Sequence, residues 1–373
     1  MNQDSIRTPN LTRRELLGTG AAAAAGLALG PALVFARRSD EKSLVLYCSA
    51  DEDVAQPVID GFTKATGISV KPVYDTEATK TTGLVNRLLG EKGRPRADVW
   101  WSSEAFGTIR LSRAGALEPY TSAAAEKQMT DEHGWPEYLR GKDKTWYGFG
   151  SRGRVIVYNT KIFRNGPTAE ILIDLADSQY KGRIGMAKPE FGTTRGHMAA
   201  YASRLSETSL QKSLRRLKEN GLRLFDGNAG VARAVGTGEI HIGLTDTDDV
   251  FEGKKQGWPI EMRFETNTPR NMFGADGGWQ ASGLGPLFFP NTVAKVKGAT
   301  NPDGAEKFID HVLSLPVQRA MAMADGHNIP VDSALRQEFC MWAKGGPQMN
   351  PFDYEKVADS MDGAMKVCAD VFG

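Results

Sequence analysis

Three aspartates fall within four positions of GLTDTDD: Asp246, Asp248 and Asp249, directly after an apolar run beginning at Ile240. Carboxylates this close repel one another and favour a turn over continued strand, so they face either water or something positive. Asp248 and Asp249 are neighbours, and neighbours on extended chain point apart. That suits coordination from a turn better than a general acid facing a base across a substrate. Asp51 and Glu52 follow the run SLVLYC, and Ser103 and Glu104 follow ADVWW. Each pair can line a ligand site at a strand end or simply start a helix, where acids cap free amides and complement the dipole. Phe191-Gly192-Thr193-Thr194-Arg195-Gly196 sets backbone amides, two hydroxyls and a guanidinium at a helix start, which suits an anion or serves as a loop and cap. Arg152, in SRGR, faces the same cleft or flanks a strand. Asp51, Glu104, Asp246, Asp248 and Asp249 on one cleft would total five negative charges. Such a field favours a cation or an amine, with Thr194 and Arg195 accepting an anionic end.

Positioning these groups requires strands that end in helix starts. SLVLYC (43–48) reads as a buried strand and DEDVAQPVIDGFTKATG as an amphipathic helix closed by Gly67. ISVKPVY, TGLVNRLLGEKG, ADVWW and AFGTIRLSRAG continue the alternation, which argues for an α/β lobe around a parallel sheet. From Trp146 the pattern shifts to a β-rich run ending at Asn159. LIDLA, a loop DSQYKGRIGMA, one helix near 196–218, the strand GLRLF, the helix VARAVGTG and the strand EIHIGLT then make a second α/β lobe. Residues 286–296 read as β, 302–315 as a helix capped by Asp303 or by the Asn301-Pro302 turn, and 318–325 and 355–371 as further helices.

The 373 residues, 24% charged, fit two domains. Lys+Arg total 46 and Asp+Glu 45, with no basic stretch interleaved with aromatics, so no nucleic-acid footprint is present. Thr12-Arg13-Arg14-Glu15-Leu16-Leu17 leads into GTGAAAAAGLALGPALVFA, which reads as an export signal of the twin-arginine type over 1–36; a retained membrane anchor is the alternative. Without it the chain has 43 basic and 43 acidic residues, so preference for a ligand must come from local clusters. Cys340 and Cys368, both in the helical C-terminal region, are the expected disulfide pair, leaving Cys48 as a buried thiol. No two of the five histidines are four apart, His241 reads as a structural mid-strand side chain, and HExxH, CxxC, GxSxG and GxxxxGK[ST] are absent. Enzyme is therefore the weaker class.

VLYCSADEDVAQPVIDGFTKATGISVKPVY, RADVWWSSEAFGTIRLSRAGALEPY, WYGFGSRGRVIVYN, DLADSQYKGRIGMAKP and GAEKFIDHVLSLPVQ together resemble the periplasmic solute-binding proteins of ABC importers, most of all their ferric-iron-binding group. The resemblance spans nearly all of residues 43–335. It implies a two-lobed α/β fold of the type II periplasmic-binding kind, each lobe a mixed, mostly parallel sheet flanked by helices, with the ligand cleft between. The expected lobes are 43–146 with 265–315, and 147–264 with 316–373. It also implies a monomer in the periplasm, no cofactor, and an inner-membrane permease as partner. In that group two adjacent tyrosines hold ferric iron. Here the aligned stretch is Asp246-Thr247-Asp248-Asp249, with Asp51 and Ser103-Glu104 at the group's other ligand positions. Carboxylates are hard donors but less selective for ferric iron. A metal would be held by Asp248, Asp249, Asp51 and Glu104; the open alternative is a cationic or zwitterionic organic solute such as an aminophosphonate or polyamine.

Overall fold

The computed structural model describes residues 43–75, 81–127, 135–272, 279–339 and 352–373. The signal expected at 1–36 lies outside them, as does Cys340. The first half opens with β1 (Ser43–Cys48), α1 (Glu52–Thr66) and β2 (Ser69–Tyr74), where β1 and β2 pair in parallel. Helix α1 buries Ala55, Val58, Ile59 and Phe62, carries acids in its first turn, and ends at Gly67 with φ 72°. Only glycine adopts that left-handed cap without steric cost. Next come α2 (Thr82–Gly90), β3 (Val99–Ser102), α3 (Ala105–Arg113), the two-residue β4 (Leu117–Glu118) and the short α4 (Ala123–Lys127).

A long strand, β5 (Tyr147–Asn159), starts the second half. It is followed by β6 (Ile184–Ala187), α5 (Gly192–Arg204), α6 (Glu207–Glu219), β7 (Arg223–Phe225), α7 (Asn228–Thr237), β8 (Ile242–Asp246), α8 (Thr247–Lys255) and β9 (Ile260–Phe264). The hairpin β10 (Pro269–Met272) and β11 (Trp279–Ser282) leads to β12 (Leu287–Val296), buried along its whole length. Helices α9 (Pro302–Leu313), α10 (Leu315–Met323), α11 (Ser333–Glu338), α12 (Tyr354–Asp359) and α13 (Met361–Phe372) complete the chain.

Among the described residues one ten-stranded sheet runs β2-β1-β3-β12-β5-β8-β6-β7, with β4 on β12 and β9 on β5. Strands β1, β2 and β3 are mutually parallel, and so are β8, β6 and β7. Between them β12 is antiparallel to β3 and to β5, and β5 is antiparallel to β8. The two parallel sets therefore point towards each other. Thr292 of β12 pairs with Ser102, the end of β3, while Leu287 pairs with Arg154, which itself faces Asp246, the end of β8. The two strand ends lie five positions apart along β12, or roughly 16 Å of extended chain. A register shift between Pro290 and Asn291 interrupts the β12–β5 ladder in this interval.

Several local expectations are corrected. Residues 184–187, read as loop, form β6, a central strand with four buried residues; a short continuous apolar run lacks the alternation that marks a strand. The single helix near 196–218 is two, α5 and α6, because the Ser206 hydroxyl caps a new start by accepting from the Ser209 N–H. The run 355–371 is broken at Ser360, whose N–H bonds back to the Val357 carbonyl and tightens the last turn of α12. Of the two caps expected for α9, the structure has the one at Asn301-Pro302 rather than Asp303: the Asn301 Oδ1 accepts from the Gly304 N–H at 2.9 Å. His241 precedes β8 rather than lying within it. Cys48 and Cys368 are buried free thiols, and Cys340, the expected partner of Cys368, lies outside the described residues.

Candidate functional site

A cavity of about 250 Å³ is built at the carboxyl ends of five strands, β1 and β3 from one parallel set and β6, β7 and β8 from the other. Open α/β sheets hold ligands at this edge, because helix N-termini and loop side chains converge there. Asp51 comes from the β1–α1 turn, Ser103 from the β3–α3 turn, Gly192 to Thr194 from the start of α5, Asn228 from the start of α7, and Asp246, Asp248 and Asp249 from the β8–α8 junction. Arg152 of β5 completes the lining.

The aspartate cluster does not form a loop. Asp246 is the last residue of β8 and Thr247 the first of α8, so Asp248 and Asp249 occupy the first helical turn. There their charges complement the helix dipole. Asp249 accepts from the Asp246 N–H at 3.3 Å and from the Thr245 hydroxyl at 2.8 Å.

Asp246 is 2% exposed and saturated. Its Oδ1 receives Arg154 Nη1 at 3.1 Å, and its Oδ2 receives the Thr193 hydroxyl at 2.6 Å, Asn228 Nδ2 at 2.9 Å and Arg152 Nε at 3.2 Å. Burial opposes its charge, but Arg154 and Arg152 outweigh it and hold the carboxyl below its ordinary range. Arg154, 1% exposed, also donates to Asn228 Oδ1, Thr194 Oγ1 and His197 Nδ1. Behind it, His197 Nε2 lies 3.6 Å from Glu265 Oε2, which accepts the Tyr201 hydroxyl at 2.7 Å. Burial and the Glu265 charge push the Tyr201 phenol well up.

Asp248 differs. Its Oδ2 is 3.9 Å from Arg152 Nε, while its Oδ1 is buried and has no hydrogen-bond partner. Burial, with the charges of Asp246 and Asp51 adding to it against Arg152, pushes its carboxyl up to about 6. Burial, Asp248 and Asp246 raise Asp249 as well. The Ser103 hydroxyl is the second buried polar atom of the lining without a partner.

Eight of the expected site residues thus meet at one cavity: Asp51, Ser103, Arg152, Thr193, Thr194, Asp246, Asp248 and Asp249. Three do not. Glu52 is exposed on α1. Glu104 is drawn away as the cap of α3, accepting from the Phe106 and Gly107 N–H groups, and burial raises its carboxyl. Arg195, one residue past Thr194 on helix α5, lines a separate cavity together with Glu104. The expected field of five negative charges is accordingly not formed: Glu104 lies elsewhere and two arginines neutralise Asp246. Arg154 and Asn228 were not anticipated. Arg154 shares a strand face with Arg152 two residues away, and Asn228 follows a strand end in DGN, so alternation and the strand-end rule mark both.

Asp246, Asp248 and Asp249 each place a carboxylate oxygen within 4.8 Å of the others, a spacing that could hold a metal ion. Asp246, however, already has four donors, two of them cationic. The site is an oxygen-rich pocket with arginine at its base, and no serine or cysteine of its lining has a base in hydrogen-bond reach.

The family of bacterial extracellular solute-binding proteins matches residues 58–344. The major ferric iron-binding protein of Neisseria meningitidis serogroup A is 28% identical over 280 residues, covering 74% of this chain and 78% of that protein. The crystal structure of apo ferric ion-binding protein A from Pasteurella haemolytica superposes with a TM-score of 0.74 at 20% identity, covering 88% of this chain and 98% of that one. The periplasmic binding protein AfuA of Actinobacillus pleuropneumoniae, with exogenous fructose-6-phosphate bound, gives 0.67 at 20% identity, covering 88% and 97%. With strands of both halves ending at one oxygen-rich cavity, this mixed α/β chain belongs to the bacterial extracellular solute-binding proteins, a family of binding proteins rather than enzymes.

Proposed function

We propose that this chain captures a small organic solute bearing a cationic amine and an anionic group, and delivers it to an inner-membrane ABC permease. The observation that carries this reading is the contrast between Asp246 and Asp248. The most buried acid of the site is saturated by two arginines, while its neighbour keeps a buried oxygen without a partner, and the Ser103 hydroxyl lacks one as well. Buried polar atoms are rarely left unpaired, so these two call for a ligand that supplies hydrogen bonds. An ammonium group suits Asp248, with Asp51 and Asp249 beside it; the start of α5 suits the anionic end. A ferric ion would need several anionic ligands at once, and Arg152 stands within 4 Å of both Asp246 and Asp248. The cavity of about 250 Å³ is also larger than an ion requires. AfuA, with fructose-6-phosphate bound, is a neighbour of this fold that holds an organic phosphate.

In this reading residues 43–146 with 265–315 and 147–264 with 316–373 act as lobes that close over the solute by bending where β5 and β12 cross. The mature protein works as a periplasmic monomer after twin-arginine export. Thermal-shift and calorimetric titration with aminoalkylphosphonates, amino acids and polyamines, set against ferric, calcium and manganese salts, tests the ligand class. An amine-bearing compound should raise the melting temperature, as any ligand confined to the native state must. Asp248→Asn should abolish that rise. Tight, coloured ferric binding removed by Asp248→Asn, with no amine effect, would overturn the reading.

A further inference from the structure

Arg195 and Glu104 lie outside the 250 Å³ cavity but border a second one of about 450 Å³. The two cavities share Gly192, and consecutive residues divide between them: Thr194 faces the first and Arg195 the second, Ser103 the first and Glu104 the second. Gly192 has φ 58°, and a Cβ built there would meet no atom within 4 Å, so the join is open on the side where a side chain would stand.

The charges of the second cavity are unequally engaged. Glu104 accepts from two amides of α3, and its buried carboxyl also feels the charges of Arg195 and Arg152 without a hydrogen bond to either. Arg113 is held by Glu355 at 2.7 Å and Asp359 at 2.8 Å. Arg195 keeps a buried Nε with no hydrogen-bond partner, exposed Arg110 also lines the cavity, and exposed Asp362 is the other carboxylate there. A buried guanidinium N–H without an acceptor carries a desolvation cost that an anion would relieve, and arginine matches phosphate or carboxylate oxygens with paired donors.

We infer that the second cavity is an anion subsite centred on Arg195, and that the transported solute is elongated, reaching past Gly192 with a phosphate, phosphonate or carboxylate in this cavity. The amine end at Asp248 rests on the function proposed above; the anion end does not.

Two titrations separate them. Inorganic phosphate alone should bind the full chain weakly. Arg195→Gln should weaken it roughly 10- to 100-fold, as expected for losing a charge-assisted contact, whereas Arg195→Lys should retain most of it. A series of aminoalkylphosphonates from two carbons upward should gain affinity with length until both ends are engaged. Gly192→Asn, a residue that tolerates positive φ, should remove that gain in affinity with length. Phosphate binding that is absent, or indifferent to Arg195→Gln, overturns the subsite. Phosphate binding through Arg195 with no amine dependence on Asp248 keeps the subsite and sinks the amine reading. Amines that bind through Asp248 with no length or Arg195 effect do the reverse.

Discussion

Both halves of the sheet bury apolar residues, but they differ in what stands beside the strand ends. Around β3 the interior is aromatic: Trp101 meets Phe149 edge-on at 5.3 Å and Phe62 meets Phe308 at 5.0 Å, with the indoles of Trp100 and Trp101 satisfied by Thr108 and Asn291. Next to β8 the interior is a polar chain, Asp246–Arg154–His197–Glu265–Tyr201, every member under 5% exposed. Apolar burial stabilises in proportion to area and is indifferent to direction. A buried ion pair contributes little net stability but penalises every arrangement that unpairs it. The aromatic half is therefore a scaffold, and the polar half fixes where the site's acids point.

Two substitutions of similar size separate these roles. Phe308→Ala should cost about 3–5 kcal/mol through lost burial and the cavity left behind. Arg154→Met should cost about 3–5 kcal/mol by stranding the Asp246 carboxylate. Chemical denaturation across pH tells them apart. The folded-state carboxyl of Asp246 is depressed, so its contribution is complete above the ordinary carboxylate range and is lost as pH falls through its folded value. The Arg154→Met penalty should shrink in that acid window, and Asp246→Asn should relieve it at neutral pH. The Phe308→Ala penalty should stay flat. A flat Arg154→Met penalty would erase the distinction between the halves.

Within the polar half Asp248 works in the opposite sense to Asp246. Its carboxyl is raised from 3.8 to about 6, so the folded state holds the extra proton between those values and stability falls as pH rises across them. Asp248→Asn should therefore stabilise the unliganded protein at neutral pH by about 1–2 kcal/mol, allowing for partial exposure, and leave it unchanged near pH 4. Binding should be lost in the same variant, a trade of function against stability. Equal melting temperatures of variant and parent at neutral pH would mean that Asp248 is not strained. In the aromatic half Asn301→Ala should cost about 1 kcal/mol, the value of one helix cap, without any pH signature.

Strands and helices with a clear period were legible in the sequence: β1 begins and ends where SLVLYC does, and α1 closes at Gly67. Residues 184–187 were not, because four consecutive buried residues carry no alternation. The locations of the site's acids followed from the strand-end rule, but their chemistry did not. Whether Asp246 is a free carboxylate or a saturated one depends on Arg154 lying opposite it in the β5–β8 register, a pairing between positions 92 apart that no local pattern encodes. Glu104 misled for a related reason: at a helix start, the same carboxylate can serve its own amides or a ligand, and only geometry decides.

Strand β12 has a consequence for how the molecule is made. It closes the aromatic half by pairing with β3, and Trp101 bonds to Asn291 across 190 positions. A chain leaving the ribosome therefore carries β1, β2, β3 and their tryptophans for most of its synthesis with one edge of that sheet unpaired. Contacts this remote in sequence make folding slow and leave apolar surface open to aggregation meanwhile. The half that is translated first is thus the half that must wait until residue 296 of 373 has been added.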